Sequence, residues 1–507
     1  MHCSHSVLCV RAWARTWRRC WVCKPVQTVN AWTYRSVRAC SSAAGRNPDR
    51  KMEEVLQRTV VPLPAYETRD KAPPPAESSS LEFMDFYRHL EKAQKLLFLE
   101  LLAKDFGVDH RGAVDLALKL VDTQQRDMTT ILHVEDRLRY SLMPRYTQLL
   151  SHISRLEGGL EFLVDLRADV LHSTSSKVTD SPHMRDLNST LKSLLSEWFS
   201  VGLLQLERIT WQSPCELLQK ISQYEAVHPV RNWTDIKRRV GPYRRCYAFT
   251  HASMSGEPLV VLHVALTQDI SDNIQSIVRE FATLDTVEDM QKIKAAIFYS
   301  ISSTQPGLQG VELGHHLIKK VVRELQSEFP HMAQFSSLSP VPGFVAWLQG
   351  FLSQHRKEGR GVGLLSEQEW GELEGVTGAA PGSSALETLR TLLASADWLH
   401  SDHLTRVLQP ALLRLCAWYL YGEKRRGYAL DPVANFHLQN GATLWRINWL
   451  ADSSPRGMAT SCGIMVNYRY FLQETRTNST SYLQNKVITA SEQVLGLISQ
   501  FQKNSKL

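Results

Sequence analysis

No uninterrupted apolar run approaches the ~18 residues that a membrane-spanning helix needs, so a transmembrane segment is not expected. Cysteine is sparse outside the first 50 residues: five of the nine (Cys3, Cys9, Cys20, Cys23, Cys40) lie there, leaving Cys215, Cys246, Cys416 and Cys462. That excludes a disulfide-dense secreted scaffold and predicts buried thiols in a reducing compartment. Cys20 and Cys23 form a CxxC with no second pair at zinc-site spacing, and the His315-His316 and His400/His403 pairs lack a third ligand, so no metal centre is predicted. The phosphate fingerprints GxxxxGK[ST] and GxGxxG are absent, and so is the GxSxG elbow of serine hydrolases.

Acidic residues are missing from positions 1–48, and this absence accounts for the whole net charge. The 507 residues carry 58 Lys/Arg and 51 Asp/Glu, formally +7. Residues 1–50 hold nine of the bases and one acid, Asp49, which leaves 49 bases against 50 acids elsewhere. A nearly neutral body excludes a global attraction to nucleic acid. Arg11, Arg15, Arg18, Arg19, Arg35, Arg38 and Arg46, spaced by Trp, Val, Ala and Ser, give residues 1–51 the character of a mitochondrial targeting segment. Met52 offers a second start that would omit it. The chain closes on Ser505, Lys506 and Leu507, which reads as a peroxisomal address for an import receptor. Together these predict a protein shared between mitochondrial matrix, peroxisome and cytoplasm.

What is present is ordinary globular composition, 43% hydrophobic and 21% charged, at a length fit for roughly two to four domains. Residues 52–80, with Pro62, Pro64, Pro73, Pro74 and Pro75, read as a linker, and Ser79 with Glu82 as a capping box. Residues 81–204 show helical periodicity. One helix through Phe83, Phe86, Tyr87, Leu90, Leu97 and Leu101 is stopped by Gly107, and stretches follow at 113–122, 129–142, 144–156, 158–173 and 184–206. This region shows no catalytic constellation, and its apolar positions face several ways, which predicts a bundle used for oligomerisation. Residues 205–507 are mixed α/β. The β-rich runs 246–250 and 258–266 form a hairpin, 295–303 is a buried strand, Leu313–Glu328 a helix and Ala333–Leu338 a strand. Two strands, Ala434–Gln439 and Thr443–Leu450, are predicted around Asn440-Gly441. The fold class is α+β and multidomain.

Three segments carry candidate chemistry. Residues 305–318 place Gly307, Gly310 and Gly314 between a buried strand and an amphipathic helix, where successive amides can hold an anion. A ligand-free glycine turn explains the pattern as well. Ser339 ends the strand after that helix, with Pro340 blocking its continuation; it stands near a ligand in an α/β sheet or simply caps the next turn. On the predicted strand 434–439, Asn435, His437 and Gln439 share a polar face that suits a cleft better than a core.

Taken together, these segments resemble the malonyl-CoA decarboxylase family from about Pro62 to Leu507. The likeness is densest in HPVRNWTDIKRRVGPYRRCYAF (228–249), GEPLVVLHVALT (256–267), GLQGVELG (307–314), SSLSPVPGF (336–344), RLCAWYLYGEKRRGYALDPVANFHLQNGA (414–442) and the closing SYLQNKVITASEQVLGLISQFQKNSKL (481–507). The resemblance implies a helical domain followed by a GNAT-like catalytic domain, and a carboxy-lyase that converts malonyl-CoA to acetyl-CoA and CO2, so lowering malonyl-CoA and favouring fatty acid oxidation. It implies Ser339 and His437 as the catalytic pair. It also implies the amides of Gln309, Gly310, Val311, Glu312, Leu313, Gly314 and His315 as the coenzyme A loop, and a homotetramer. Asn435, Asn440 and Tyr470 are expected as further polar lining. The thioester is its own electron sink, so no metal, biotin or pyridoxal cofactor is implied. With a reference pKa near ~6.5, His437 would suit proton delivery at neutral pH. Cys215, in a polar turn, is a candidate for an interchain disulfide. An acyltransferase using the same loop, or a non-catalytic malonyl-CoA sensor, would share these features; incubation with malonyl-CoA and no acceptor separates them.

Overall fold

The computed structural model describes residues 48–507 except 176–180, 280–285, 312, 358–364, 378–384, 395–396 and 505–507. The basic head and the Ser505-Lys506-Leu507 signal therefore lie outside the described residues, apart from 48–51. Helices dominate up to Trp198 and a mixed sheet follows, in the order expected. The segment 52–80 is not an extended linker. It carries the end of a helix Pro48–Thr59 and a turn Tyr66–Lys71, with Val55, Leu56, Thr59 and Val60 buried. The capping box is not formed either: the next helix, Glu77–Arg88, starts earlier, with Ala76 as N-cap and Ser79 inside it. The single long helix expected to Gly107 is two, Glu77–Arg88 and Lys92–Asp105, the second opened by a reciprocal Glu91/Gln94 box.

Two later helices matter for the site. Gly159–Ser175 buries Leu160, Leu163, Leu166, Val170 and, among them, Arg167. Pro182–Trp198 starts with Ser181 accepting from the Met184 amide and buries Met184, Leu187, Leu191 and Leu195 at helical spacing. It ends before 206 because Leu204–Ile209 (β1) joins the sheet by pairing with Arg244–His251 (β2). A strand partner there overrides the helical appearance of Leu-Gln-Leu-Glu-Arg-Ile.

The expected hairpin is present: β2 pairs antiparallel with Val260–Thr267 (β3), which pairs antiparallel with Ala295–Ser303 (β4). These strands are buried almost along their whole length, because both sheet faces are covered. Parallel to β4 lies Gln334–Ser337 (β5), which continues after Leu338 as Ser339–Pro340 (β6). After the small hairpin Lys424–Arg425 (β7) and Tyr428–Ala429 (β8), Thr443–Asn448 (β9) and Met465–Arg469 (β10) complete the eight-stranded sheet, with β10 between β9 and the β5–β6 strand.

One feature of this sheet makes the site. β4 pairs β5 only as far as Phe298↔Ser337, where the Leu338 amide donates to the Phe298 carbonyl at 3.1 Å. Beyond that point β4 stays with β3 and β6 stays with β10. A register shift between His263 and Val264, opposite Tyr299, marks where β4 bends away. The two strands part and leave a gap between them.

Candidate active site

The gap opens into a cavity of about 510 Å³, walled by Phe298–Ile301 of β4, Ser339 and Pro340 of β6, the turn around Gly310–Gly314, and Val433, Phe436 and His437. His437 does not lie on a strand. Residues Pro432–Gln439 form a helix, N-capped by Asp431 accepting from the Ala434 amide at 2.8 Å, with Pro432 in the first turn. Asp-Pro is a helix-start signal, and the alternation of Phe436 and Leu438 masked it. Accordingly His437 leaves the face that Asn435 and Gln439 share, where Gln439 Nε2 donates to Asn435 Oδ1 at 3.4 Å, and Asn440-Gly441 ends a helix rather than turning a hairpin; Gly441 has φ 81° there.

The helix brings His437 to Ser339. Its Nε2 lies 2.9 Å from Ser339 Oγ, and its Nδ1 lies 2.7 Å from the Tyr470 hydroxyl. The ring stacks on Tyr468 at 4.5 Å and 15°. Ser339 Oγ donates to Ser337 Oγ at 2.8 Å, since residues two apart on an extended strand face the same way. Ser339 therefore caps nothing. The Tyr468 amide donates in turn to Ser337 Oγ at 3.3 Å.

Burial sets the protonation states. His437 is 2% exposed, and desolvation pushes its pKa down to about 3 instead of the 6.5 expected from its type. It is a neutral imidazole at pH 7. Burial also raises Tyr470 far above its ordinary value, so it remains a phenol able to donate to Nδ1. With that bond made, Nε2 carries the ring proton toward Ser339, and the Ser339 proton points to Ser337. The chain Tyr470, His437, Ser339, Ser337 is directed, and no carboxylate takes part in it.

The glycine turn forms the cavity's other end. Pro306–Leu308 is a single 3-10 turn, Gly310 has φ 78°, and the helix Gly314–Glu328 starts without a side-chain cap, which leaves its first amides to a ligand. Close approach requires two of the glycines. A methyl group on Gly307 would lie 1.8 Å from the Val164 carbonyl oxygen, and one on Gly314 would lie 2.6 Å from the Phe436 ring. Arg167 reaches across from the helical region: Nη1 donates to the Gly307 carbonyl, Nη2 to the Gln309 carbonyl at 2.8 Å, and Nε to Asn188 Oδ1 at 3.1 Å.

Of the residues singled out from sequence, the structure unites Ser339, His437 and Tyr470, with Gly310, Val311, Leu313 and Gly314 across the cavity. Gln309 sits exposed at the turn. Glu312 and the His315 side chain lie outside the described residues. Asn435 and Asn440 do not line the cavity. Asn435 Oδ1 accepts from Tyr482 at 2.8 Å, and Asn440 donates to the Phe436 carbonyl at 2.8 Å beside a separate cleft that Tyr470 also lines. Arg167 and Ser337 escaped the sequence reading. An arginine amid the buried leucines of its helix, and a serine two residues before Ser339, were the available signals. Cys215 is an exposed free thiol, whereas Cys246, Cys416 and Cys462 are buried. No helix among the described residues is long and apolar enough to cross a membrane.

Comparison with known proteins adds a second line of observation. The family models for the malonyl-CoA decarboxylase N-terminal and C-terminal domains match residues 106–199 and 202–507. The mitochondrial malonyl-CoA decarboxylase of Anser anser anser is 57% identical over 472 residues, covering 92% of this chain and 93% of its own. That of Rattus norvegicus is 58% identical over 459 residues, covering 90% and 92%. The crystal structure of malonyl-CoA decarboxylase from Rhodopseudomonas palustris superposes with a TM-score of 0.72 at 30% identity, over 88% of this chain and 98% of that one. The enzyme from Agrobacterium vitis gives 0.73 at 30% identity, over 88% and 99%.

Proposed function

Because the chain belongs to the malonyl-CoA decarboxylase family, we propose that it is a carboxy-lyase converting malonyl-CoA and a proton to acetyl-CoA and CO2. The C2–C3 bond breaks, its electrons move onto the thioester oxygen as an enolate, and C2 then takes a proton. The thioester accepts the electrons, so the reaction is written without metal, biotin or pyridoxal phosphate. The observation that carries this reading is the 2.9 Å contact between Ser339 and His437 at one end of a cavity whose other end is the glycine turn. The turn would hold coenzyme A, and that remote binding energy would position the malonyl group. With substrate bound, His437 Nε2–H and Ser339 O–H would turn from their resting partners to the enolate and C2 as donors, Tyr470 would keep Nδ1 hydrogen-bonded, and the proton given to C2 would be replaced from water.

The test is incubation with malonyl-CoA and no acceptor. Acetyl-CoA and CO2 are expected, and His437→Ala should lower kcat by about 10²–10⁴. Turnover that requires an added amine or alcohol would make the protein an acyltransferase; saturable binding without turnover would make it a sensor.

Residence follows as part of the same proposal. The named relatives are mitochondrial and the head is Arg-rich, which supports mitochondrial import, while the closing Ser505-Lys506-Leu507 supports recognition by a peroxisomal import receptor and a form starting at Met52 supports a cytoplasmic pool. We assign oligomerisation, as a homotetramer, to the helical region 81–204. Leu118, Val121, Met128 and Leu132 are exposed apolar side chains there. The exposed thiol of Cys215 would form the interchain disulfide under oxidising conditions.

A further inference from the structure

The Pro182–Trp198 helix sets one side chain against Arg167 and another against the glycine turn. Asn188 holds Arg167, and Lys192 stands four residues on, hence on the same face. The adjoining face is fixed by buried Met184, Leu187, Leu191 and Leu195, so this register is not free to rotate. Lys192 lies over Gly310: a methyl group built there would be 3.7 Å from both its Cε and its Nζ. Lys192 is exposed and makes no ion pair among the described residues. Its neighbour Arg167 is buried, and its hydrogen bonds go to two carbonyls and an amide oxygen, none to a carboxylate. Two positive charges therefore flank a turn whose carbonyls at 307 and 309 are drawn toward Arg167, beside an uncapped helix start. Such an arrangement suits a dianion better than a neutral ligand.

We infer that Lys192, from the helical region, is the cation that meets the pyrophosphate of the substrate's coenzyme A at Gly310. This rests on the reading that the turn holds coenzyme A. The turn amides fix direction, and the ammonium supplies a mobile point charge. The helical region is then part of the substrate site and not only a scaffold.

The experiment compares kcat/KM for malonyl-CoA, malonyl-dephospho-CoA and malonyl-pantetheine in wild type, Lys192→Ala, Lys192→Arg and Gly310→Val. Lys192→Ala should lower kcat/KM about tenfold for both phosphate-bearing thioesters, through KM, and the loss should shrink as salt rises. The effect on malonyl-pantetheine, which has no phosphate, should be several-fold smaller, and Lys192→Arg should recover most of the loss. Equal losses on all three thioesters, or no loss on malonyl-CoA, would overturn the assignment. A loss on malonyl-CoA alone would move Lys192 to the 3′-phosphate and overturn the pyrophosphate contact. Gly310→Val isolates the underlying reading. If it leaves KM unchanged, coenzyme A does not lie on the turn. If it raises KM while Lys192→Ala does not, the turn stands and Lys192 is dismissed.

Discussion

Replacing Arg167 by Met keeps most of its apolar stem and removes three hydrogen bonds. Two of these hold the carbonyls of Gly307 and Gln309, in a turn that lies 140 residues away in sequence. Gly307 is buried, so its carbonyl is left without its donor, at a cost of about 1–3 kcal/mol, while the exposed Gln309 can turn its carbonyl to water. The buried guanidinium's own desolvation, which lowers its pKa, is relieved by the change and offsets part of the loss. The net destabilisation should be about 1–2 kcal/mol. Catalysis should respond differently. The turn would no longer be held in its binding geometry, and losing about 1.4–2.8 kcal/mol of that preorganisation raises KM for malonyl-CoA about 10- to 100-fold. Ser339 and His437 are held by β10, Tyr470 and their own helix, so kcat should stay within a few-fold of wild type. Arg167→Lys should recover little, because an ammonium lacks the planar fork that spans two carbonyls. Steady-state kinetics beside thermal unfolding decides the matter. A lowered Tm with unchanged KM would refute the link from Arg167 to the substrate and leave it a staple between regions.

Gly314→Ala should lower kcat at least as much as it raises KM, because the new methyl would push on Phe436, the residue before His437; a pure KM effect in the kinetics would contradict this. Acid should destabilise the protein through His437. Its folded pKa of about 3 lies below the unfolded value near 6.5, so its contribution is whole above pH 6.5 and is lost as pH falls toward 3. Between pH 6.5 and 4.5 wild type should lose about 2.3 kcal/mol more than His437→Gln, read from denaturation midpoints, and parallel slopes would refute a neutral buried ring. Deleting Ser505-Lys506-Leu507 should abolish a peroxisomal pool seen by imaging and leave the purified enzyme active, while starting at Met52 should abolish the mitochondrial pool. Light scattering should find a tetramer at micromolar concentration, and its persistence in Cys215→Ser without change under oxidant would discard the disulfide.

Much of the sheet was legible because its strands bury both faces. Val260–Thr267 and most of Ala295–Ser303 are apolar runs with β-branched residues, and Cys246–Phe249 of β2 adds a shorter one. The Gly314–Glu328 helix was equally plain from its amphipathic repeat. What escaped was short or decided by partners. β10 is five residues long, yet it holds β9, β5 and β6 together, and nothing local in Met-Val-Asn-Tyr-Arg announces a central strand. The segment 432–439 was misread because alternation over a few residues mimics either period, and the Asp431-Pro432 start was the deciding signal. The Ser339–His437 meeting required the parting of β4 from β5, which only the register shows. Arg167 escaped although its signal was local, a cation amid Leu163, Leu166 and Val170 whose burial without acceptors would be costly, because the carbonyls that accept from it are distant in sequence.

The electrostatics of the cavity bear on the proposed reaction more directly than its shape. Among the described lining residues there is no Lys or Arg, and His437 is neutral. A cationic histidine beside Ser339 would grip the malonyl carboxylate and stabilise the ground state. The neutral, largely apolar end formed by Phe298, Ile301, Pro340, Val433 and Phe436 gives that carboxylate little to replace water. In the proposed reaction loss of CO2 moves the charge onto the thioester oxygen, where Nε2–H and the Ser339 hydroxyl would donate once turned from their resting partners. Interactions that strengthen as the reaction proceeds raise kcat, whereas those already made by the substrate do not. The cations gather instead at the far turn, Arg167 on its carbonyls and Lys192 over Gly310, where the part of the substrate that does not react would lie in the proposed reading. Under the proposed reaction, positive charge at the remote end and neutrality at the reacting end would together let binding hold the thioester where its carboxylate is least stabilised.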